Sequence, residues 1–333
     1  MSKYAFITNT DSNTISVVDL QLNEEVKQIA IGDSPRGAMA IDKSRGFGFV
    51  SNCAGNTISV VNLKTGFEEK KIEVGLAPRG VDISPDNKWL YVANSGSATV
   101  SVVDMETQNV VHTIEVERNP RQLQVTPDGK FVFVPNFGSD SVSIIEVNTA
   151  DITKSQNISN IFLGKNAKPY HSYPNEDGTL IFTANTFGNS ISVVSRLENK
   201  VLKTIKVGYN PRAVITEPTG KYLLVSAEAS NALSVVSRET WQEVKRIPVG
   251  ATPRGLAINP DNNTILITAF QRMMLTDIDL AYDRVSVVSL DNLTRVGDVP
   301  TGLGACSLNI IDSEEIEEFF VNNPYYMNMI AMA

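Results

Sequence analysis

A chain of 333 residues with 42% hydrophobic side chains can bury a large core, and its net charge of −8 makes the surface acidic. Such a surface disfavours nonspecific nucleic-acid binding, which needs Lys and Arg to displace phosphate counterions. Two cysteines allow at most one disulfide, and two histidines exclude a multi-histidine zinc site.

Met1-Ser2-Lys3 runs straight into Tyr4–Asn9, a stretch of strand character, so the start reads as having no secretory leader. No run of eighteen apolar residues occurs. No transmembrane helix and no membrane partner are therefore expected, and a cytoplasmic location is the default. Further along, a unit recurs whose clearest piece is Ile-Ser-Val-Val or a close variant. It starts at Ile15, Ile58, Val100, Val142, Ile191, Leu233 and Val285, with spacings of 43, 42, 42, 49, 42 and 52 residues. A period in the low forties marks a repeat architecture. The second unit holds four short stretches rich in Val, Ile and aromatics: Val81–Ser84, Trp89–Ala93, Thr99–Asp104 and Val110–Val116. Turn signals separate them, as in Ser84-Pro85-Asp86-Asn87 and Thr126-Pro127-Asp128-Gly129. None has the 3.6-residue period of a helical repeat. Four antiparallel strands per unit make a propeller blade, and the repeat predicts an all-β, seven-bladed β-propeller.

The second strand of five units ends in a recognisable way: Phe6-Ile7-Thr8-Asn9, Phe49-Val50-Ser51-Asn52, Tyr91-Val92-Ala93-Asn94, Phe133-Val134-Pro135-Asn136 and Phe182-Thr183-Ala184-Asn185. Over roughly residues 3–311 the chain resembles the YVTN-type β-propeller repeat family. Relatives of that family include surface-layer and periplasmic propellers and, more distantly, propeller lactonases and the streptogramin (virginiamycin B) lyase. The pattern is specific for fold and says little about function.

Inner strands begin at Pro35, Pro78, Pro120, Pro169, Pro211 and Pro253, with a degenerate start at Ala305. Cys306–Ile311 has no later partners, so it is expected to complete a blade with Tyr4–Asn9, Thr14–Asp19 and Val26–Ile31. Residues 1–311 then form one propeller. In residues 312–333, Asp312-Ser313-Glu314-Glu315 reads as a capping box opening a short helix. The apolar tail beyond it suits the bottom face or a dimer contact, so a monomer or homodimer is expected.

Arg36, Arg79, Arg121, Arg212 and Arg254 follow the inner-strand prolines and should ring the channel mouth on the face called the top. Guanidinium forks suit a carboxylate or phosphate. Repetition in nearly every blade also suits a purely structural role, with each Arg bonded to its neighbouring blade. The terminal Asn amides divide similarly between satisfying the adjoining turn backbone and offering oxygens to a metal. No cofactor is expected. A calcium or magnesium ion in the channel is the alternative that the resemblance to propeller lactonases implies.

Departures from the repeat cluster in four consecutive blades. Tyr170-His171 replaces Arg-Gly, Ala227-Glu228 replaces Asn, Ala269-Phe270 precedes an insertion that contains Arg272, and Cys306 replaces Arg. Irregular loops on a regular scaffold are where function is usually built. His171, Tyr170 and Glu228 are the candidate catalytic residues, with His112 left on an outermost strand. Arg36, Arg79, Arg121, Arg212, Arg254, Arg272, Phe270 and Cys306 are the candidate substrate contacts. Asp277-x-Asp279 is too sparse for a calcium loop and reads as part of a lid. The expected function is a small-molecule enzyme of lyase, hydrolase or cyclase type acting on a polar or anionic substrate. A noncatalytic ligand-binding propeller and a protein-interaction scaffold are the alternatives.

Overall fold

The structure, a computed structural model, describes residues 3–270 and 284–312. Seven four-stranded antiparallel sheets stand around a central channel, each a blade. Blades one to six have their inner strands at Pro35–Asp42, Pro78–Ile83, Gln124–Val125, Pro169–Pro174, Pro211–Thr216 and Pro253–Asn259. The seventh sheet has Ala305–Asp312 as its inner strand, paired with Lys3–Asn9 from Lys3↔Asp312 to Asn9↔Ala305. Arg272, the insertion around it and residues 313–333 lie outside the described residues. Among the described residues no helix is long and apolar enough to cross a membrane.

Burial explains the sequence pattern strand by strand. The second and third strands of each blade are covered on both faces, so Leu90–Ala93 and Val100–Val103 are continuous buried runs. Outer strands face water and bury one anchor each: Ile72, Ile114, Ile161, Ile205 and Ile247 fill this place in five of them. The core lies between blades. Phe49 and Val60 of the first blade share a cluster with Val81, Leu90 and Val103 of the second. The outer strands also carry a bulge at a repeated place, where Val102 faces His112 but Val103 faces Val110. Such bulges add the twist that a blade needs.

The turn signals do what their chemistry predicts. Asn87 takes a left-handed φ of 55° and donates its N–H to Ser84 O at 2.9 Å, while Ser84 Oγ bonds Asp86 Oδ1 at 2.6 Å. The second blade's inner strand starts at Pro78, three residues earlier than the apolar pattern suggested. The terminal amides also differ from expectation. Asn94 Nδ2 donates to Thr99 Oγ1 at 3.1 Å and Ser101 Oγ at 2.9 Å, side chains of the third strand rather than turn backbone. Asn9, Asn52 and Asn185 do the same in their own blades.

Candidate functional site

The Arg-bearing starts of the inner strands are bulged. Pro78 faces Asn94 but Val81 faces Val92, so Arg79 and Gly80 together stand opposite Ala93. Arg212 and Arg254 occupy the same kind of bulge. A bulge re-aims its side chain, and here it turns each guanidinium into the channel. The backbone groups it frees are bonded by hydroxyls. Ser226 Oγ accepts from Ala213 N at 3.0 Å and donates to Arg254 O of the next blade at 2.6 Å. Thr268 Oγ1 accepts from Gly255 N at 2.8 Å and donates to Cys306 O at 3.2 Å. These pegs cross the blade junctions and fix the ring.

Inside is a cavity of about 330 Å³, lined by all five of these arginines together with Tyr170, His171 and Cys306. Two further predicted residues approach from behind. Glu228, in a short turn of 3-10 helix, bonds Arg212 with one oxygen and Arg254 Nη2 with the other, at 2.7 Å. Phe270 is buried, and its ring lies 3.6 Å from the Arg254 guanidinium carbon and 5.7 Å from that of Arg36. Tyr170 plays the same part elsewhere, 4.8 Å from Arg212 and 5.6 Å from Arg121. Flat cations against ring faces are a favourable pairing. By contrast, the buried Nε atoms of Arg36, Arg79 and Arg121 meet no acceptor.

His171 is buried and its Nδ1 accepts from Val214 N at 3.2 Å, which leaves the proton of the neutral ring on Nε2. Burial depresses its pKa to about 4, against a smaller opposing effect of the Val214 bond. The imidazole is therefore neutral at ordinary pH. Burial also lowers Arg121 to about 10, helped by the nearby Arg79, yet it stays charged. Cys306 is buried and unpaired in any disulfide. Burial alone would raise its thiol, but Arg254 and Arg36 bring it below its ordinary value. His112 stands apart on the outer strand Asn109–Glu115, with Nε2 2.9 Å from Ser155 O.

One charged residue of the cavity wall was missed in the sequence. Asp82 is the one carboxylate among the described lining residues. Its Oδ2 accepts from Gln124 Nε2 at 2.7 Å and Val125 N at 2.8 Å, and its Oδ1 from Ile83 N at 3.0 Å. Burial raises its pKa to about 7 against those three bonds. By register, Ala40, Gln124, Ile215 and Ala257 hold this place in other blades. A lone Asp among them is a departure from the repeat that could have flagged it.

Among the described residues no group of three or more His, Cys, Asp or Glu side chains is placed to hold a metal ion. The terminal Asn amides do not line the cavity.

Solved structures share the fold. Periplasmic gluconolactonase PpgL of Pseudomonas aeruginosa is 16% identical with a TM-score of 0.75, over 94% of this chain and 99% of that one. Hydrazine synthase of Kuenenia stuttgartiensis is 22% identical with a TM-score of 0.69, over 82% and 88%. A functionally unknown protein of Desulfotomaculum acetoxidans is 16% identical with a TM-score of 0.75, over 92% and 98%. A search of curated proteins gives no match. A family model described as a YNCE-like beta-propeller matches residues 43–158 and 130–301, most of the ring. The chain belongs to the YNCE-like β-propeller family.

Proposed function

We propose that the protein is a small-molecule enzyme of hydrolase, lyase or cyclase type, acting on an anionic substrate in the top-face cavity. The observation that carries this reading is the trio of buried Nε atoms on Arg36, Arg79 and Arg121 without an acceptor. A buried N–H left without an acceptor is costly, and an oxyanion is the natural acceptor for a guanidinium N–H. His171 presents a neutral ring whose Nε2 proton can be donated, and Tyr170 adds a hydroxyl on the same wall. Asp82, with its pKa near 7, is suited to exchange a proton near neutrality. Glu228 serves by aligning Arg212 and Arg254, which would steady negative charge developing on the substrate. The gluconolactonase among the structural neighbours supports hydrolysis only by analogy of fold.

A noncatalytic anion-binding propeller is the second reading. Two of the candidate catalytic groups already have partners: Glu228 holds two guanidiniums and His171 holds Val214 N. A panel of carboxylate and phosphate esters and lactones separates the readings, assayed for turnover and for binding. Turnover that His171→Asn abolishes while binding persists supports the enzyme. Saturable binding with no turnover of any member supports the binding protein.

A further inference from the structure

We propose that the ligand carries two negative charges on one head group and docks on one side of the mouth, against Arg36, Arg79 and Arg121. This rests on the anion-binding reading above and goes further by dividing the ring.

The ring order, blade by blade, is Arg36, Arg79, Arg121, Tyr170, Arg212, Arg254, Cys306. On one side a single carboxylate, Glu228, takes up both Arg212 and Arg254. That carboxylate cancels one of their two charges and takes up both Nε donors. On the other side none of the three adjacent guanidiniums is ion-paired with a carboxylate among the described residues, and their buried Nε atoms have no hydrogen-bond partner. Three cations in low dielectric repel one another, so that side favours a multiply charged guest.

The layer below is uneven as well. The residues one tier down, set by pairing with the second strands, are Ala40, Asp82, Gln124, Tyr173, Ile215, Ala257 and Asn309. Beneath Arg212 and Arg254 stand Ile215 and Ala257, which offer no polar side chain. Beneath Arg79 and Arg121 stand Asp82 and Gln124, and Asn309 comes from the adjoining seventh blade. All of them line the one cavity. The half of the channel that holds Arg79 and Arg121 therefore has guanidinium N–H groups without an acceptor above and a mutually bonded Asp82–Gln124 pair below, while Ile215 and Ala257 lie below Arg212 and Arg254. A doubly charged oxyanion above, with a hydroxyl- or amide-bearing body below, matches that half. A phosphate monoester and a dicarboxylate share this head-group chemistry.

Calorimetric titration of the full chain at about pH 8, where phosphate is a dianion, tests the division with inorganic phosphate, malonate and singly charged acetate. Phosphate or malonate should bind at least about tenfold tighter than acetate, and whichever binds tighter identifies the source of the head group. Arg79→Gln should weaken binding by about tenfold or more, and Arg212→Gln by less than about threefold. Glu228→Gln should tighten it, because two guanidiniums are released. Arg36→Gln serves as a second probe if Arg79→Gln fails to fold, judged by circular dichroism. Equal losses from Arg79→Gln and Arg212→Gln would overturn the one-sided site while leaving anion binding intact. Equal affinity for acetate would overturn the double charge. If none of the three anions binds, the anion-binding reading itself fails.

Discussion

Arg254 Nη2 donates to Glu228 Oε1 at 2.7 Å across the junction of the fifth and sixth blades. Arg212 holds the other oxygen from the fifth blade itself. Glu228 thus bridges two arginines that would otherwise repel. Glu228→Gln keeps the shape and removes the charge, leaving two cations in a mostly buried setting. The expected cost is about 2–3 kcal/mol of folding stability. Urea unfolding measures it, and a variant as stable as the parent would show that this ion pair contributes nothing net.

Two titrating groups of the cavity wall should give opposite pH slopes. An unfolded His171 charges below 6.5, while the folded one resists until about 4. Through that window the unfolded chain binds the extra proton, so acid destabilises the fold. Asp82 behaves in reverse. Its folded carboxyl takes a proton near 7 and its unfolded one near 3.8, so its contribution is lost as pH rises through 7. The upper bounds are about 3 kcal/mol for His171 and about 4 kcal/mol for Asp82. Relative to the parent, Asp82→Asn should lose stability more steeply between pH 6.5 and 4, and His171→Asn less steeply. Stability measured at stepped pH gives the two difference curves, and parallel curves would remove both assignments.

The propeller was legible because its signals are local and repeated: Ile-Ser-Val-Val at the third strands, Pro-Arg-Gly at the inner ones, Ser-Pro-Asp at the turns. The ring of arginines was legible for the same reason. Its division was not. Glu228 could be singled out as irregular, but that it reaches back to Arg212 and across to Arg254 is a contact between residues 16 and 26 positions apart that only the folded ring brings together. Asp82 was hidden differently. It sits inside a strand that reads as apolar, and its raised pKa follows from burial, which no spacing reveals. The terminal Asn residues were visible, yet their partners five and seven residues on required the strand register.

Gly80 shows why glycine follows arginine in several blades. A Cβ there would lie 2.5 Å from Arg121 O and 2.7 Å from Gln122 Cα, both backbone atoms of the next blade. Nothing flexible can yield. Gly80→Ala should cost about 1–3 kcal/mol and push Arg121 out of line. Anion affinity should fall with it. Gly55→Ala is the control, since its nearest neighbour would be 3.4 Å away. Equal melting temperatures for the two variants would argue against close blade contact at this point.

The inner strand Ala305–Asp312 gives the sharpest test of the ring as a whole. It is the last described segment of the chain, yet it pairs with Lys3–Asn9 at the start. Ala305 and Leu308 join Ala5 and Ile7 in a cluster shared with Leu266 and Val285 of the sixth blade. Ile311 joins Phe6 in another, shared with Met39 and Val50 of the first. Removing this strand therefore opens both flanks of one blade. Burial of a Leu or Ile contributes about 1.5–3 kcal/mol, and the lost ladder bonds expose the edge of Lys3–Asn9 to pairing with other chains. Net stabilities are about 5–15 kcal/mol, so the loss takes most of the margin. A chain ending at Gly304 should unfold without a cooperative transition or aggregate, and a peptide of residues 305–312 added in trans should restore the transition. A chain ending at Asp312 separates the strand from the residues after it. If the chain ending at Gly304 melts cooperatively at the parent temperature, the ring is stable without a closing strand.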